Sequence, residues 1–374
     1  MSNNSLLYKI AISLIPGVGS INAKKLIAYT GNVENVFKAK RGELLKIPNI
    51  GKQLVDKIIN QKVLQRAAEE IKFIEKNNIK PVFYLDKDYP LRLSNCYDSP
   101  ILLYLKGNID LNQLKILSIV GTRNATIRGK DICKELITEL KNNGHNPIII
   151  SGLAYGIDVC AHKAALDNNL NTVAVLGHGL DILYPALHKK IAREIVNKGA
   201  LITEFTSNSI TDKNNFVKRN RIIAGLSDAT IVIESGIKGG ALITADIANS
   251  YNRDVFAVPG RLNDTYSAGC NKLIKINKAA LIESAADIEY ILGWDVQKKK
   301  NNIQRKLFIE FNDEEKIIVG ILKNNGKTEI DKICLQSRFT IGKVSGILLN
   351  LEFSGILKCL PGKSYELNKE VYIQ

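Results

Sequence analysis

The sequence predicts an α/β protein: a Rossmann-like, doubly wound parallel sheet between an N-terminal all-α region and a C-terminal winged helix. Two observations predict the sheet. Six short runs rich in Ile and Val (116–120, 147–150, 172–176, 200–203, 229–233 and 255–258) are nearly continuously apolar instead of alternating. Helical stretches such as 130–141 and 191–198 separate them. Continuous apolar strands joined by helices are strands buried on both faces of a parallel sheet. A third observation concerns the ends of the chain, where helical patterns replace these runs.

Residues 1–79 read as helical and hold a weak internal repeat, Ile15-Pro16-Gly17-Val18-Gly19 and Ile47-Pro48-Asn49-Ile50-Gly51, each between two helical patterns. This is a helix-hairpin-helix pattern. Its glycine turn can hold a phosphate on open backbone N–H groups, or serve only as a structural or docking module. Residues 80–294 comprise a connecting segment (80–114) and the sheet domain. A basic linker, 295–307, leads to residues 308–374. There 314–323, 329–335 and 341–353 read as three helices, followed by two short strands around Pro361-Gly362, the pattern of a winged helix. Such domains bind duplex DNA through the third helix, which carries Lys343 here, or dock proteins instead.

The chain has 374 residues, is 45% hydrophobic and carries a formal charge of +15. That excess favours a polyanionic partner, or is merely solubilising. Six cysteines lie scattered without a CxxC pair, as expected of small core residues in a reducing cytosol. The first fifteen residues have no signal-peptide organisation and no stretch approaches a membrane span, so a soluble cytoplasmic protein is expected.

In doubly wound folds, ligands sit beyond the carboxyl ends of the strands. Those ends carry glycine turns here: Gly121-Thr122-Arg123, Ser151-Gly152, Gly177-His178-Gly179, Lys238-Gly239-Gly240 and Pro259-Gly260-Arg261. Around Phe216 the chain adds Lys213, Lys218, Arg219, Asn220 and Arg221. Cations, a stacking ring and open amides at one sheet edge suit a single-stranded nucleic acid. Arg123, Arg219, Arg221, Lys238 and Arg261 are accordingly expected to project into one basic groove, and alanine at Arg219 and Arg221 to weaken binding without unfolding.

Other chemistries fit poorly. Position 182 is Ile where a dinucleotide fingerprint needs glycine, and no GxxxxGK[ST] is present. Ser151 lies outside any GxSxG elbow, and the four histidines form no metal pattern. His178 is the one candidate base, while Asp158, Asp181 and Glu234 read as caps or arginine partners before they read as catalytic carboxylates. No cofactor or metal is expected.

At these residues the chain resembles the DNA-processing protein A family (DprA/Smf) of bacterial natural transformation. The matching runs are Gly121–Thr126, Ser151–Asp158, Gly177–Pro185, Lys218–Ser227, Gly239–Ala245, Val255–Gly260 and Gly269–Ile274, in order. The flanking helix-hairpin-helix (SAM-like) and winged-helix regions match its longer members. The resemblance implies a non-catalytic protein that binds single-stranded DNA, dimerises and loads the RecA recombinase onto incoming strands, alongside single-strand-binding protein. It assigns strand contacts to Gly121, Thr122, Arg123, Ser151, Gly152, Gly177, Lys213, Phe216, Lys218, Arg219, Asn220, Arg221, Lys238, Gly239 and Gly240. It places a dimer contact within 271–283, at Asn271, Lys272, Ile274 and Ala280. Val217, Gly239, His188 and Asn277-Lys278 depart from the usual family residues. The rival readings are a phosphoribohydrolase-like enzyme on a related sheet, and a scaffold whose terminal modules do the binding. The first needs a Pro-Gly-Gly-x-Gly-Thr loop, which Ser235–Ala241 is not.

Overall fold

The computed structural model describes residues 3–210, 212–294 and 311–368. They form two compact units that divide at residues 299 and 300. The linker read at 295–307 lies outside the described residues.

The first unit opens with helices α1 (Asn3–Leu14), α2 (Ser20–Thr30), α3 (Val33–Lys38), α4 (Arg41–Leu44), α5 (Lys52–Ile59) and α6 (Leu64–Lys76). Both repeats occupy equivalent positions. Ile15 and Ile47 are buried anchors, and Gly17 (φ 90°) and Asn49 (φ 63°) both take positive φ. Gly19 and Gly51 then start α2 and α5 without a side-chain cap. The hairpins face one another: Lys25 Nζ reaches the Pro48 carbonyl at 3.1 Å, and Gly17 packs on Leu54. Their apolar residues share one cluster with Phe83, Leu102 and Tyr104 of the sheet, so the helical region and the sheet region pack as one body.

The sheet region runs β1 (Lys80–Phe83), α7 (Leu91–Ser94), β2 (Leu102–Gly107), β3 (Ile116–Val120), α8 (Ile127–Asn142), β4 (Ile148–Ser151), α9 (Ile157–Asp167) and β5 (Thr172–Val175). A 3-10 turn, Ala186–His188, precedes α10 (Lys189–Lys198), β6 (Ala200–Thr203), α11 (Lys213–Leu226), β7 (Ala229–Val232), α12 (Gly240–Ser250), β8 (Asp254–Ala257), α13 (Ala268–Lys275), β9 (Ala280–Leu281) and α14 (Ala285–Ile291). The strand order is β1-β2-β6-β5-β4-β3-β7-β8-β9. From β6 to β9 every pairing is parallel, as the six apolar runs require. The chain winds outward from β3 to β6, and α11 then carries it back to the other flank of β3. That return makes the β3/β7 boundary the topological switch point.

The connecting segment is part of this sheet. β1 and β2 add two antiparallel strands beyond β6. Pro81 masked this pairing in the sequence, yet it sits on the edge strand, where a missing N–H costs no ladder bond. Side chains alternate across the sheet. Ile116 and Val120 point into the layer of α11, α12 and α13, whereas Leu117 and Ile119 meet α8, α9 and α14.

The second unit contains α15 (Asp313–Asn325), β10 (Thr328–Glu329), α16 (Ile330–Ser337), α17 (Ile341–Phe353), β11 (Leu357–Leu360) and β12 (Ser364–Leu367), a three-helix winged helix with sheet order β10-β12-β11. Lys343 is tied to Glu314 at 2.5 Å and lies over Phe339. Among the described residues no helix is long and apolar enough to cross a membrane.

His162 of α9 is wholly buried, with Nδ1 2.7 Å from Thr172 Oγ1. Burial, reinforced by the charges of Arg219 and His188, pushes its imidazole down to about 3. The unfolded chain therefore binds the extra proton below pH ~6.5, and stability is lost as pH falls from there toward 3. His162→Gln is expected to flatten urea midpoints measured between pH 6.5 and 4.5; an unchanged pH slope would remove His162 as a source of acid lability.

Candidate nucleic-acid interface

The carboxyl ends of β3, β4 and β5 and the start of α11 meet at one place. Helical periodicity sorts the basic residues of α11. Phe216 and Arg219 are three apart and share a face; Arg219 and Arg221 are two apart, roughly 200° around the helix, and diverge. Asp212 caps the helix by accepting the Asn214 N–H at 3.1 Å. Lys213 and Lys218 are exposed, and Asn220 is half-buried.

Arg219 lies inside, only 4% exposed. Its guanidinium is pressed on the Ser151-Gly152 turn: a Cβ added to Gly152 would stand 1.4 Å from Arg219 Nη1. No hydrogen bond joins Arg219 to any described residue, and its Nε is buried without a partner. Burial pushes the guanidinium down to about 10, with Asp158 opposing the shift and Arg123 adding to it. Asp158 does not form a close ion pair with it. The carboxylate faces the Gly152 and Ala154 N–H groups at 3.2 and 3.4 Å, and burial holds its pKa above the usual range although Arg219 lowers it. A buried arginine whose Nε–H has no acceptor is rare in folded proteins and calls for an acceptor from outside.

Aromatic residues frame this spot. The exposed Arg123 guanidinium lies 6.0 Å from the Phe216 ring centre. Phe216 in turn stands 5.7 Å from Tyr184, which is 49% exposed. Gly177 lets the helix start approach, because a Cβ there would fall 2.9 Å from Phe216 Cδ1. Sequence reasoning misses Tyr184, although it closes the Gly177–Pro185 run.

His178 explains how that loop is held. It is fully buried; its Nδ1 faces the Gly179 carbonyl at 2.8 Å and its Nε2 accepts the Tyr184 N–H at 3.1 Å. Both ring nitrogens are occupied, so His178 orients the loop and has no free position for base catalysis. Ser151 is likewise engaged, donating to the Ile119 carbonyl at 2.6 Å. Asp181 accepts the Asn208 N–H at 2.9 Å, and Glu234 accepts from Thr126. The enzyme reading loses its histidine base here.

The single basic groove expected from the sequence needs correction. The structure brings Arg123, Arg219 and Phe216 together with Gly121, Thr122, Ser151, Gly152 and Gly177. Arg221 is turned away, paired with Glu204 and only half-buried. Burial raises the Glu204 carboxyl, against the lowering influence of Arg221. Lys238 and Gly240 are exposed, and Gly239 half-buried, on the β7–α12 turn of the same sheet edge, whereas Arg261 lines a separate cleft. In the 271–283 stretch, Asn271 exchanges two hydrogen bonds with Gly260, Lys272 is exposed, Ile274 packs against the core and Ala280 lies on β9. Lys278 pairs with Asp246.

Arg221→Ala leaves Glu204 unpaired in a poorly solvated place. It is expected to cost about 1–3 kcal/mol of stability and to leave oligonucleotide affinity of the folded protein unchanged. Denaturant titration and fluorescence anisotropy read the two effects; a large affinity loss at full stability would return Arg221 to the groove.

Comparison with known proteins identifies the family. The DNA recombination-mediator protein A family profile matches residues 80–292, and the DprA winged helix domain matches 312–363. Protein Smf of Synechocystis sp. is 32% identical over 402 residues, covering 98% of this chain and 100% of that protein. DNA processing protein DprA of Streptococcus pneumoniae is 42% identical over 204 residues, covering 54% of this chain and 71% of that one. The X-ray structure of the S. pneumoniae protein superposes with a TM-score of 0.66 at 34% identity, over 76% of this chain and 96% of that one. DprA from Helicobacter pylori, whose structure was described for its single-stranded DNA binding mode, gives 0.51 at 29% identity, over 57% and 95%. Family profile, full-length relative and fold agree: this chain belongs to the DNA recombination-mediator protein A family, a family of DNA-processing mediators rather than enzymes.

Proposed function

We propose that the protein binds single-stranded DNA across the β3–β5 edge and hands the strand to the RecA recombinase. The observation that carries this is the buried Arg219 side chain, its Nε without a partner, beside Arg123 and Phe216. A phosphate oxygen entering over Gly152 would meet Arg219 from below and Arg123 from the side. Charge-assisted hydrogen bonds of this kind are the strong ones, and the site is already desolvated. Successive bases would stack on Phe216 and Tyr184, a mode indifferent to sequence because every base has a π face. Open amides at Gly121, Gly177 and Gly240, and exposed Lys213, Lys218 and Lys238, would track the backbone, while the Thr122 and Gly239 N–H groups stay bonded to the Glu234 and Gly236 carbonyls and hold their turns in shape. Asn220 and the Ser151 turn would complete the lining.

The single-stranded DNA binding mode described for the H. pylori relative and the family's recombination-mediator description support this reading. RecA delivery, a cytoplasmic setting, contact with single-strand-binding protein and a homodimer through 271–283 extend it. The dimer would place two grooves on one strand, which raises avidity without new contacts.

Arg219→Met is expected to cost less than about 1 kcal/mol of stability, because no hydrogen bond is broken and relief of the buried charge offsets the lost attraction of Asp158. Affinity for a dT oligonucleotide should fall at least about tenfold, the worth of a charged hydrogen bond. Equal affinity for variant and wild type would reject the site. RecA filament assembly on strands precoated with single-strand-binding protein should accelerate when the protein is added. Strand binding without acceleration would remove the RecA step and leave the groove.

A further inference from the structure

A second cavity on the same sheet edge has a different chemistry. It measures about 490 Å³ and lies beyond β3, β7 and β8, at the topological switch point, where doubly wound sheets bind ligands. Such a volume suits a small organic ligand. Ile132, Ile233, Val258 and Pro259 supply apolar walls. Two carboxylates line it between them. Glu234, 6% exposed, accepts the Thr126 N–H at 2.9 Å and its O–H at 2.5 Å, one bond per oxygen. Asp264 accepts the Tyr266 N–H at 3.0 Å and the Ser267 O–H at 2.8 Å, again one per oxygen. A carboxylate offers about four acceptor positions, so each keeps capacity for further donors. At the rim, Arg128 and Arg261 are exposed and make no hydrogen bond or ion pair with a described residue, though both act on Asp264 through space.

We propose that this cleft is a second nucleotide seat, holding one further base of the bound strand and preferring adenine, cytosine or guanine to thymine. The inference rests on the single-strand reading above. Apolar walls enclose a flat heterocycle, carboxylate acceptors receive an exocyclic amine, and the rim arginines take the adjoining phosphate. Carboxylates accept from cytosine N4 in this manner, whereas thymine has no exocyclic amine and presents carbonyl oxygens to the same acceptors. The cleft is continuous with the groove through one loop. The Glu234 carbonyl holds the Thr122 N–H at 2.8 Å while its carboxylate lines the cleft. Arg123 of that loop stands by Phe216, and Thr126 and Arg128 line the cleft.

Anisotropy titrations with labelled dC and dT oligonucleotides of equal length, over a salt series, test this. Wild type should bind dC about fivefold more tightly, the scale of one hydrogen bond. Asp264→Asn should erase that preference. Arg128→Ala/Arg261→Ala should weaken both oligonucleotides and flatten the log–log salt slope by about 1.4, two single-strand phosphate contacts. Wild type that binds neither oligonucleotide would reject the single-strand reading, and this inference with it. Binding that Phe216→Ala weakens, but that the double arginine variant leaves unchanged in affinity and slope, would overturn the cleft alone. A dC preference that survives Asp264→Asn would do the same.

Discussion

A positive charge held inside the protein with no hydrogen-bond partner among the described residues is the constraint on which the rest depends. Taking a guanidinium out of water costs several kcal/mol, and only close hydrogen bonds recover it. Arg219 has the distant charge of Asp158 and the backbone of Gly152, and neither supplies an acceptor. The free protein therefore carries a local debt of solvation that an anion relieves. Sites that violate the rule of satisfied polar groups are where function concentrates.

Holding that charge in place takes much of the molecule. The α11 helix can bury Arg219 because Gly152 has no side chain and because Ile222, Ile223 and Leu226 fix the helix on the sheet. The segment entering α11 is anchored from the N-terminal region. Glu70 of α6, 1% exposed, accepts the Ser207 N–H at 2.9 Å and its O–H at 2.5 Å, while Arg66 donates to the Ser207 carbonyl. Asp181 holds the next residue, Asn208. The helical region is thus a buttress for the loop that delivers Phe216. Arg221 on the opposite face serves the same end by pairing with Glu204.

Much of this was legible in the chain. Six buried strands could be read because parallel sheets leave no polar alternation to confuse them, and the glycine turns follow from where those strands stop. The β1–β2 pair was not legible, since Pro81 and the flanking prolines mimic a loop and only the neighbouring β6 edge makes them strands. The divergence of Arg219 and Arg221 follows from helical geometry alone. Their partners Asp158 and Glu204 do not, because each is brought near by packing between distant segments. The same holds for Tyr184, whose ring gains meaning only beside Phe216, and for Arg261, which faces a cleft and not the groove.

The Arg219 guanidinium protons, which no described residue accepts, are the most direct place to look. Nitrogen-15 NMR of the arginine side chains, with Arg219 assigned through an Arg219→Lys variant, observes them. On saturation with a short dT oligonucleotide, the Arg219 resonances are expected to shift and their exchange with water to slow, as an oxygen acceptor arrives. Resonances that stay in place and exchange as before, on a protein fully occupied by the strand, would contradict a role for this buried charge in gripping DNA.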